Sequence, residues 1–260
     1  MLLGGTHPVA LDEFDGDVIL PTASIGKLLL LLTVLDEIDT GRLDPREVLS
    51  VTDDDVVADS GLLQHLDQQA LPVLDLCRLV GVVSDNLATN VLIRRVGLDR
   101  VDAVAARLGI TRCRLHDFVR DERGPEHPPT LSTGAAGELA DLARRIRVGH
   151  AVSTVASETL VDLLRLNTDL SMVAAAFGLD PLAHVDEDLG ARLFNKTGTR
   201  TGTRADVGCV ETTVAGEWRL VSYAVIAQFG DSATTRRAVL DAMRAVGDGI
   251  LRQLSRDSSG

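Results

Sequence analysis

Lysine is nearly absent from this 260-residue chain: of 26 basic residues only Lys27 and Lys196 are lysine, and the rest are arginine. Surface charge is carried by arginine, so two retained lysines point to work that arginine cannot do. Arginine stays protonated, whereas a buried lysine can shed its proton and act as a base. Cysteine is scarce as well. Cys77, Cys113 and Cys209 are odd in number and widely spaced, form no CxxC or zinc pattern, and read as buried thiols. The six histidines are scattered without an HExxH pair, so neither a metal site nor a cofactor is expected. The longest unbroken apolar run, Met172 to Phe177, is far short of a membrane span. Basic charge is outweighed: the formal net charge of −12 argues against a sequence-independent nucleic-acid binder. The first fifteen residues hold no lysine or arginine and no apolar core ahead of a cleavage site, so no secretory signal is read. A cytoplasmic location is expected for the chain as it stands, and an exported one if its start was trimmed.

What is present suffices for one large domain or two intimately packed lobes, with 45% apolar residues to fill a core. Residues 9–12 and 17–20 read as strands joined at Asp15-Gly16. A helix then starts at Pro21-Thr22, with Thr22 or Ser24 near its N-cap, and stops at Gly41. It is apolar nearly all round to Leu35, which places it in the centre of a helical lobe. Residues 75–83, 86–96, 99–108, 135–147 and 157–166 carry apolar residues at helical steps. The longest irregular stretch lies between Asp117 and Thr133. Residues 193–196 form a strand leading into a Gly/Thr-rich turn, 205–213 and 218–228 form a hairpin about Gly216, and a helix over 234–254 precedes a tail at 255–260. Strands at both ends around a helical middle predict an α+β fold. An antiparallel sheet from the two termini, faced by helices, would form one lobe (about 1–23 and 185–254), and residues 24–184 an all-α lobe.

Three short motifs could carry chemistry. Ser24 and Lys27, three residues apart on a helix, share one face. A serine in the first helical turn sits where free N–H groups favour developing negative charge. Lys27, held neutral by burial or by a second cation, could take the serine proton, and Lys196 is the obvious second cation. Ser84-Asp85-Asn86 joins two helical segments; its serine can relay a proton and its asparagine can hold an amide. Lys196-Thr197-Gly198 offers a backbone edge for an extended substrate, with Gly198 giving clearance and Thr197 and Arg204 suited to a carboxylate. Taken singly, each motif also reads as a helix cap or a turn.

In the order SxxK, SDN, KTG, the three motifs resemble the class A β-lactamase family of penicillin-recognising serine hydrolases. Asp59-Ser60-Gly61-Leu62 resembles the family's segment ahead of SDN, and Gly202-Thr203-Arg204-Ala205-Asp206 its strand after KTG, so the likeness covers about residues 17–254. The resemblance implies an active site between the sheet lobe and the helical lobe and a small-molecule β-lactam or related amide or ester substrate; a monomer is expected, though no residue pattern signals an oligomeric state. It implies that Ser24 attacks the β-lactam carbonyl, that Lys27 helps to deprotonate it, and that Ser84 passes a proton to the lactam nitrogen. Asn86 would hold the substrate's side-chain amide; Lys196, Thr197 and Arg204 would anchor its carboxylate, with Gly198 leaving room for the ligand. The backbone N–H groups of Ser24 and Thr199 would form the oxyanion hole.

Three departures bear on that expectation. The family's ExxLN loop, whose glutamate activates the deacylating water, has no counterpart here. Asp117 is nearest by position, counting back from Leu131-Ser132-Thr133, and Asp121, Glu122 and Glu126 are rivals. Only 23 residues precede Ser24, fewer than the family's usual lead-in. Cys77 sits where some members place half a disulfide, but its partner position is Leu31, so no disulfide is expected. Three functions are therefore weighed: β-lactam hydrolysis with slow release, hydrolysis of other esters or amides, and a module that acylates or binds penicillins without turnover.

Overall fold

The computed structural model describes residues 2–3, 9–183, 191–214 and 216–255. The expected sheet boundary at 184–185 and the end of the tail lie outside the described residues. Three long strands, β8 (Ala191–Arg200), β9 (Thr203–Val214) and β10 (Glu217–Gln228), form an antiparallel meander. Two short N-terminal strands, β1 (Leu2–Leu3) and β2 (Val9–Ala10), extend it beyond β10 in the order β2-β1-β10-β9-β8. Both ends of the chain thus build one sheet, with β2 and β8 as its two edge strands.

Alternation along the strands decides what each face packs against. Leu193, Val210, Val221 and Tyr223 join one core cluster with Met243 and Ile250 of α7 (Ala233–Leu254). Their neighbours Phe194, Cys209 and Leu220 join the other, larger cluster, which includes Leu139 and Leu142 of α5 (Ala136–Arg147). The sheet is therefore covered on both faces. Helix α5 and the 3-10 turn Val173–Phe177 pack on the sheet layer, although both fall in the stretch expected to be the all-α lobe.

Helix α1 (Lys27–Asp39) is buried from Lys27 through Asp36 and packs against α3 (Asn86–Val96), α4 (Leu98–Arg107) and α6 (Thr154–Arg165). Its C-terminus closes in a Schellman motif: Gly41 takes a left-handed φ of +72°, Arg42 N donates to Glu37 O at 2.8 Å and Gly41 N to Ile38 O at 3.0 Å. No helix among the described residues is long and apolar enough to cross a membrane.

Three expectations are corrected. The strand at 17–20 does not join the terminal sheet. It is β3 (Ile19–Pro21), which pairs with β7 (Ser132–Ala135), itself paired with β6 (Arg114–Leu115). Pro21 has no N–H to offer a second neighbour, and β3 lies at an edge, where proline is tolerated. Residues 132–135, assigned to the loop and the start of a helix, form β7 instead. Lys196-Thr197-Gly198 lies within β8, which runs to Arg200, and the turn comes afterwards at Gly202.

Candidate active site

A cleft of about 960 Å³ opens between the β8 edge and the helices, lined by parts of all three motifs. The nucleophile's segment leaves β3, bends at Ala23 (φ +50°) and enters a 3-10 turn, Ala23–Gly26, that runs into α1. Ser132 holds this bend. Its Oγ lies 2.8 Å from Thr22 Oγ1 and donates to Ala23 O, while Thr22 N donates to Ser132 O at 3.1 Å. A Cβ on Gly26 would fall 2.4 Å from Ser132 Cβ, so this close approach needs glycine. Four described non-glycine residues have a left-handed φ, and three of them, Ala23, Asp59 and Ser84, line this one cleft. Backbone in that region is strained for L residues and persists where the surroundings enforce it, commonly at functional sites.

Lys27 starts α1 and is fully buried. Its Nζ donates to Ser84 O at 2.6 Å, Asn86 Oδ1 at 2.8 Å and Ser84 Oγ at 3.3 Å. Lys196, equally buried on β8, donates to Ser84 Oγ at 3.0 Å and Thr197 O at 2.9 Å. The Ser84 hydroxyl thus lies between the two lysine Nζ atoms. Burial, and after it the charge of Lys196, pushes the Lys27 pKa well below its ordinary value, toward the neutral amine. Burial lowers Lys196 to about 8. Ser24 is half-buried in the cleft wall, and its Oγ has no hydrogen-bond partner among the described residues. Catalytic hydrogen bonds of this kind often tighten only when substrate is bound.

The Ser84-Asp85-Asn86 tripeptide divides its labour. Ser84 ends α2 (Val73–Val83) in a left-handed C-cap, and Asp85 caps α3 by accepting Ala88 N at 2.8 Å. Asp85 also accepts Leu62 N at 2.7 Å and Leu63 N at 2.8 Å, which ties the 59–63 segment beneath the turn. Ser84 and Asn86 are left facing the cleft.

On β8, Thr197 and Thr199 line the cleft. A Cβ at Gly198 would fall 2.2 Å from Thr22 O and 3.1 Å from Ile25 Cγ1, so only glycine lets β8 press against the nucleophile's turn. Gly198→Ala is expected to displace the strand and slow any acylation of Ser24 by about a hundredfold. Intact-mass timing of adduct formation, with circular dichroism as a folding control, would check this; unchanged kinetics would show that the close approach is dispensable.

Lys27, Lys196 and Gly198 lie behind the cleft wall and are not in its lining, but the two lysines reach Ser84, whereas Asp117 and Arg204 are engaged elsewhere. Asp117 is buried and is not among the cleft-lining residues. Its carboxylate accepts Arg120 Nε at 2.8 Å, Arg123 Nη1 at 2.7 Å and Phe118 N at 2.8 Å. Burial alone would raise its pKa, but these hydrogen bonds outweigh burial and hold it below the ordinary aspartate value. A carboxylate spent on two arginines is a poor base, which corrects the expectation that Asp117 activates water. Of its rivals, Asp121 lines the cleft but accepts Ala58 N at 3.0 Å, and Glu122 and Glu126 are exposed outside the lining. Arg204 is also absent from the lining. Its Nη1 donates to Arg200 O and Thr203 O, and its guanidinium carbon lies 5.9 Å from the Phe229 ring centre.

Sequence reasoning missed the support behind Lys196. Asn167 Nδ2 donates to Asn195 Oδ1 at 2.7 Å, and Asn195 Nδ2 to Asp206 Oδ1 at 3.0 Å. Asp206 also takes Val173 N at 3.0 Å, and burial raises its pKa to about 7. No local pattern marks this network, because its members come from three distant segments. It missed Arg200 as well, which lines the cleft one residue beyond Thr199.

The lysine shifts give a pH prediction. Below its pKa of about 8, Lys196 is a cation that attracts an anionic substrate; above it that charge is lost. On the acid side Lys27 gains a proton and ceases to be an acceptor. Acylation by a carboxylate-bearing substrate is therefore expected to decline on both sides of a maximum and to fall as pH rises through about 8. Initial acylation rates across pH would test this, and a rate still climbing well above that point would contradict it.

Known proteins share this architecture. Residues 10–254 match the model of the beta-lactamase enzyme family. Beta-lactamase PSE-4 of Pseudomonas aeruginosa is 25% identical over 134 residues, a match spanning 50% of this chain and 42% of that protein's length. The solved β-lactamase of Sphaerobacter thermophilus superposes with a TM-score of 0.79 at 24% identity, over 100% of this chain and 92% of that one. A class A β-lactamase variant representing the last common ancestor of Gram-negative bacteria gives 0.75 at 25% identity, over 96% of this chain and 91% of that one.

Proposed function

The chain belongs to the beta-lactamase enzyme family, and we propose that it is a class A-like serine hydrolase that opens β-lactam rings by acylating Ser24. One observation carries the reading: the Ser84 hydroxyl lies 3.3 Å from Lys27 Nζ and 3.0 Å from Lys196 Nζ, beside the cleft that Ser24 lines. These contacts would let a proton move from Lys27 through Ser84 to a leaving nitrogen. Ser24 Oγ attacks the lactam carbonyl carbon and its proton passes to neutral Lys27. The carbonyl oxygen gains negative charge and is received by the backbone N–H groups of Ser24 and Thr199. As the C–N bond breaks, Lys27 gives a proton to Ser84 and Ser84 gives its own to the nitrogen. Asn86 holds the acyl-side amide, and Lys196 and Thr197 attract the carboxylate on the leaving side.

Hydrolysis of the acyl-enzyme needs an activated water. With Asp117 bound to Arg120 and Arg123, the carboxylate expected to take that part is already engaged, which favours slow release of the acyl group. Incubation with benzylpenicillin, followed by intact mass, tests the proposal. The wild type is expected to gain the mass of the whole penicillin, and Ser24→Ala to gain none. Absence of both adduct and ring opening in the wild type would refute it. An adduct that outlasts hours would mark capture without efficient turnover, and loss within minutes would mark an efficient hydrolase.

A further inference from the structure

We infer that Val119 decides the fate of the acyl group in this chain: it puts an apolar side chain where a carboxylate would activate the deacylating water, an inference that rests on the acylation reading above. The placement follows from two anchors of the 117–131 loop. Near one end Asn90 clamps the Val119 backbone, its Oδ1 accepting Val119 N at 2.8 Å and its Nδ2 donating to Val119 O at 3.0 Å. Asn90 lies one turn along α3 from Asn86, on the same face and about 6 Å further on. Asn86 in turn accepts Lys27 Nζ at 2.8 Å. Just past the other end, Ser132 Oγ donates to Ala23 O, beside Ser24. The loop therefore spans from the nucleophile's turn to α3, and Val119 and Leu131 both line the cleft.

Elimination gives this wall its role. With an acyl group on Ser24, the Ser24 and Thr199 N–H groups receive the carbonyl oxygen, Ser84 faces the departing nitrogen, and Asn86 holds the acyl-side amide. The loop closes the remaining side, from which water must reach the ester carbon. Its carboxylates are engaged or remote: Asp117 is bound to Arg120 and Arg123, Asp121 accepts Ala58 N at 3.0 Å, and Glu122 and Glu126 are outside the lining. Asp169, also in the lining, accepts Ser171 Oγ at 2.6 Å. Asp59 belongs to the amide side, because the carbonyls flanking it, Ala58 O and Ser60 O, accept from Asn86. Water on the loop side thus meets Val119 and no free base, and the ester persists. A glutamate at 119 would supply the missing step. Water oxygen would attack the ester carbon as its proton passes to the carboxylate; the bond from that carbon to Ser24 Oγ would then break, and the carboxylic acid would return the proton to Oγ.

The test times acylation and release separately, by intact mass with benzylpenicillin, in wild type, Val119→Glu and Val119→Gln. The wild type is expected to hold its adduct for hours. Val119→Glu is expected to acylate at a similar rate and to release about a hundredfold faster or more, the worth of a general base. Its release should slow as pH drops through the carboxylate range, a signature that a merely looser loop would not give. Val119→Gln, of the same shape without a base, is expected to release like wild type. Equal acceleration in both variants, no acceleration in a folded Val119→Glu, or release from wild type within minutes would each overturn the inference. Hydroxylamine attacks an ester without a base and gives a second arm on the wild type should Val119→Glu not fold. It is expected to strip the adduct at a rate that rises with its concentration; an adduct that resists it is shielded rather than short of a base, which overturns the inference. p-Nitrophenyl acetate separates this inference from the β-lactam reading. If penicillin leaves Ser24 unmodified while the acetate esterifies it, the acetyl group should show the same acceleration in Val119→Glu, and a lifetime unchanged by that variant overturns the inference. No ester on Ser24 from either compound overturns both.

Discussion

Lys27→Arg is expected to slow acylation of Ser24 by about a thousandfold or more, while Lys196→Arg costs only about tenfold. Both side chains are fully buried and both contact Ser84, so burial and proximity do not distinguish them. The required charge state does. Lys27 must be neutral at the moment of attack, and its surroundings push it that way, burial first and the charge of Lys196 second. A guanidinium cannot accept a proton at any working pH. Lys196 works as a cation, and arginine keeps that charge while moving it off the Ser84 hydroxyl. Rapid-mixing acylation with intact-mass detection measures both variants. Because arginine is also bulkier than the Lys27 site allows for, Lys27→Met, close to lysine in volume and without an ionisable group, serves as a second variant. Loss of acylation in both Lys27 variants with melting temperatures near wild type points to proton transfer. Equal tolerance of arginine at both positions would make the two-lysine composition an accident.

The legible part of the site was the part encoded over short distances. Ser24 and Lys27 sit three residues apart at a helix start, and Ser84 and Asn86 flank a cap, so spacing alone brings each pair to one place. The α+β layout was legible too, since the alternating or continuous apolar residues of β9 and β10 and the helical steps in α3 and α7 are local signals. What stayed hidden depends on distant partners. Whether Asp117 acts as a base or as a brace is decided by Arg120 and Arg123, whose side chains could equally have pointed to solvent. Whether Arg200 or Arg204 faces the cleft depends on how far β8 runs. A Gly/Thr tract reads as a turn until pairing with β9 holds it extended, because strand preference is set more by neighbours than by residue type. The pairing of β3 with β7 joins residues more than a hundred positions apart, and no periodicity within either segment specifies it.

Asp85→Ala is expected to produce the largest loss of stability at the site, about 3–5 kcal/mol, and to take acylation with it. The carboxylate is 1% exposed and accepts three backbone N–H groups, from Leu62, Leu63 and Ala88. Gly61 permits this arrangement: with φ at +127° it passes so close that a Cβ there would fall 2.4 Å from Asp85 Cγ. Alanine would remove all three acceptor contacts in a place with little access to water, and each buried orphaned donor costs about 1–3 kcal/mol. The turn is also what holds Ser84 left-handed between two helices, and Lys27 Nζ reaches Ser84 O on one side of Asp85 and Asn86 Oδ1 on the other. Loosening Asp85 therefore loosens two of the contacts that hold Lys27 in place. Thermal unfolding should show a fall of roughly 10 °C in midpoint for a domain of this size. Asp85→Asn keeps the shape and one acceptor oxygen, but must turn an NH₂ toward at least one N–H donor, so an intermediate loss is expected. An Asp85→Ala protein that melts and acylates like wild type would mean that the three N–H groups find other partners and that Ser84 holds its conformation unaided.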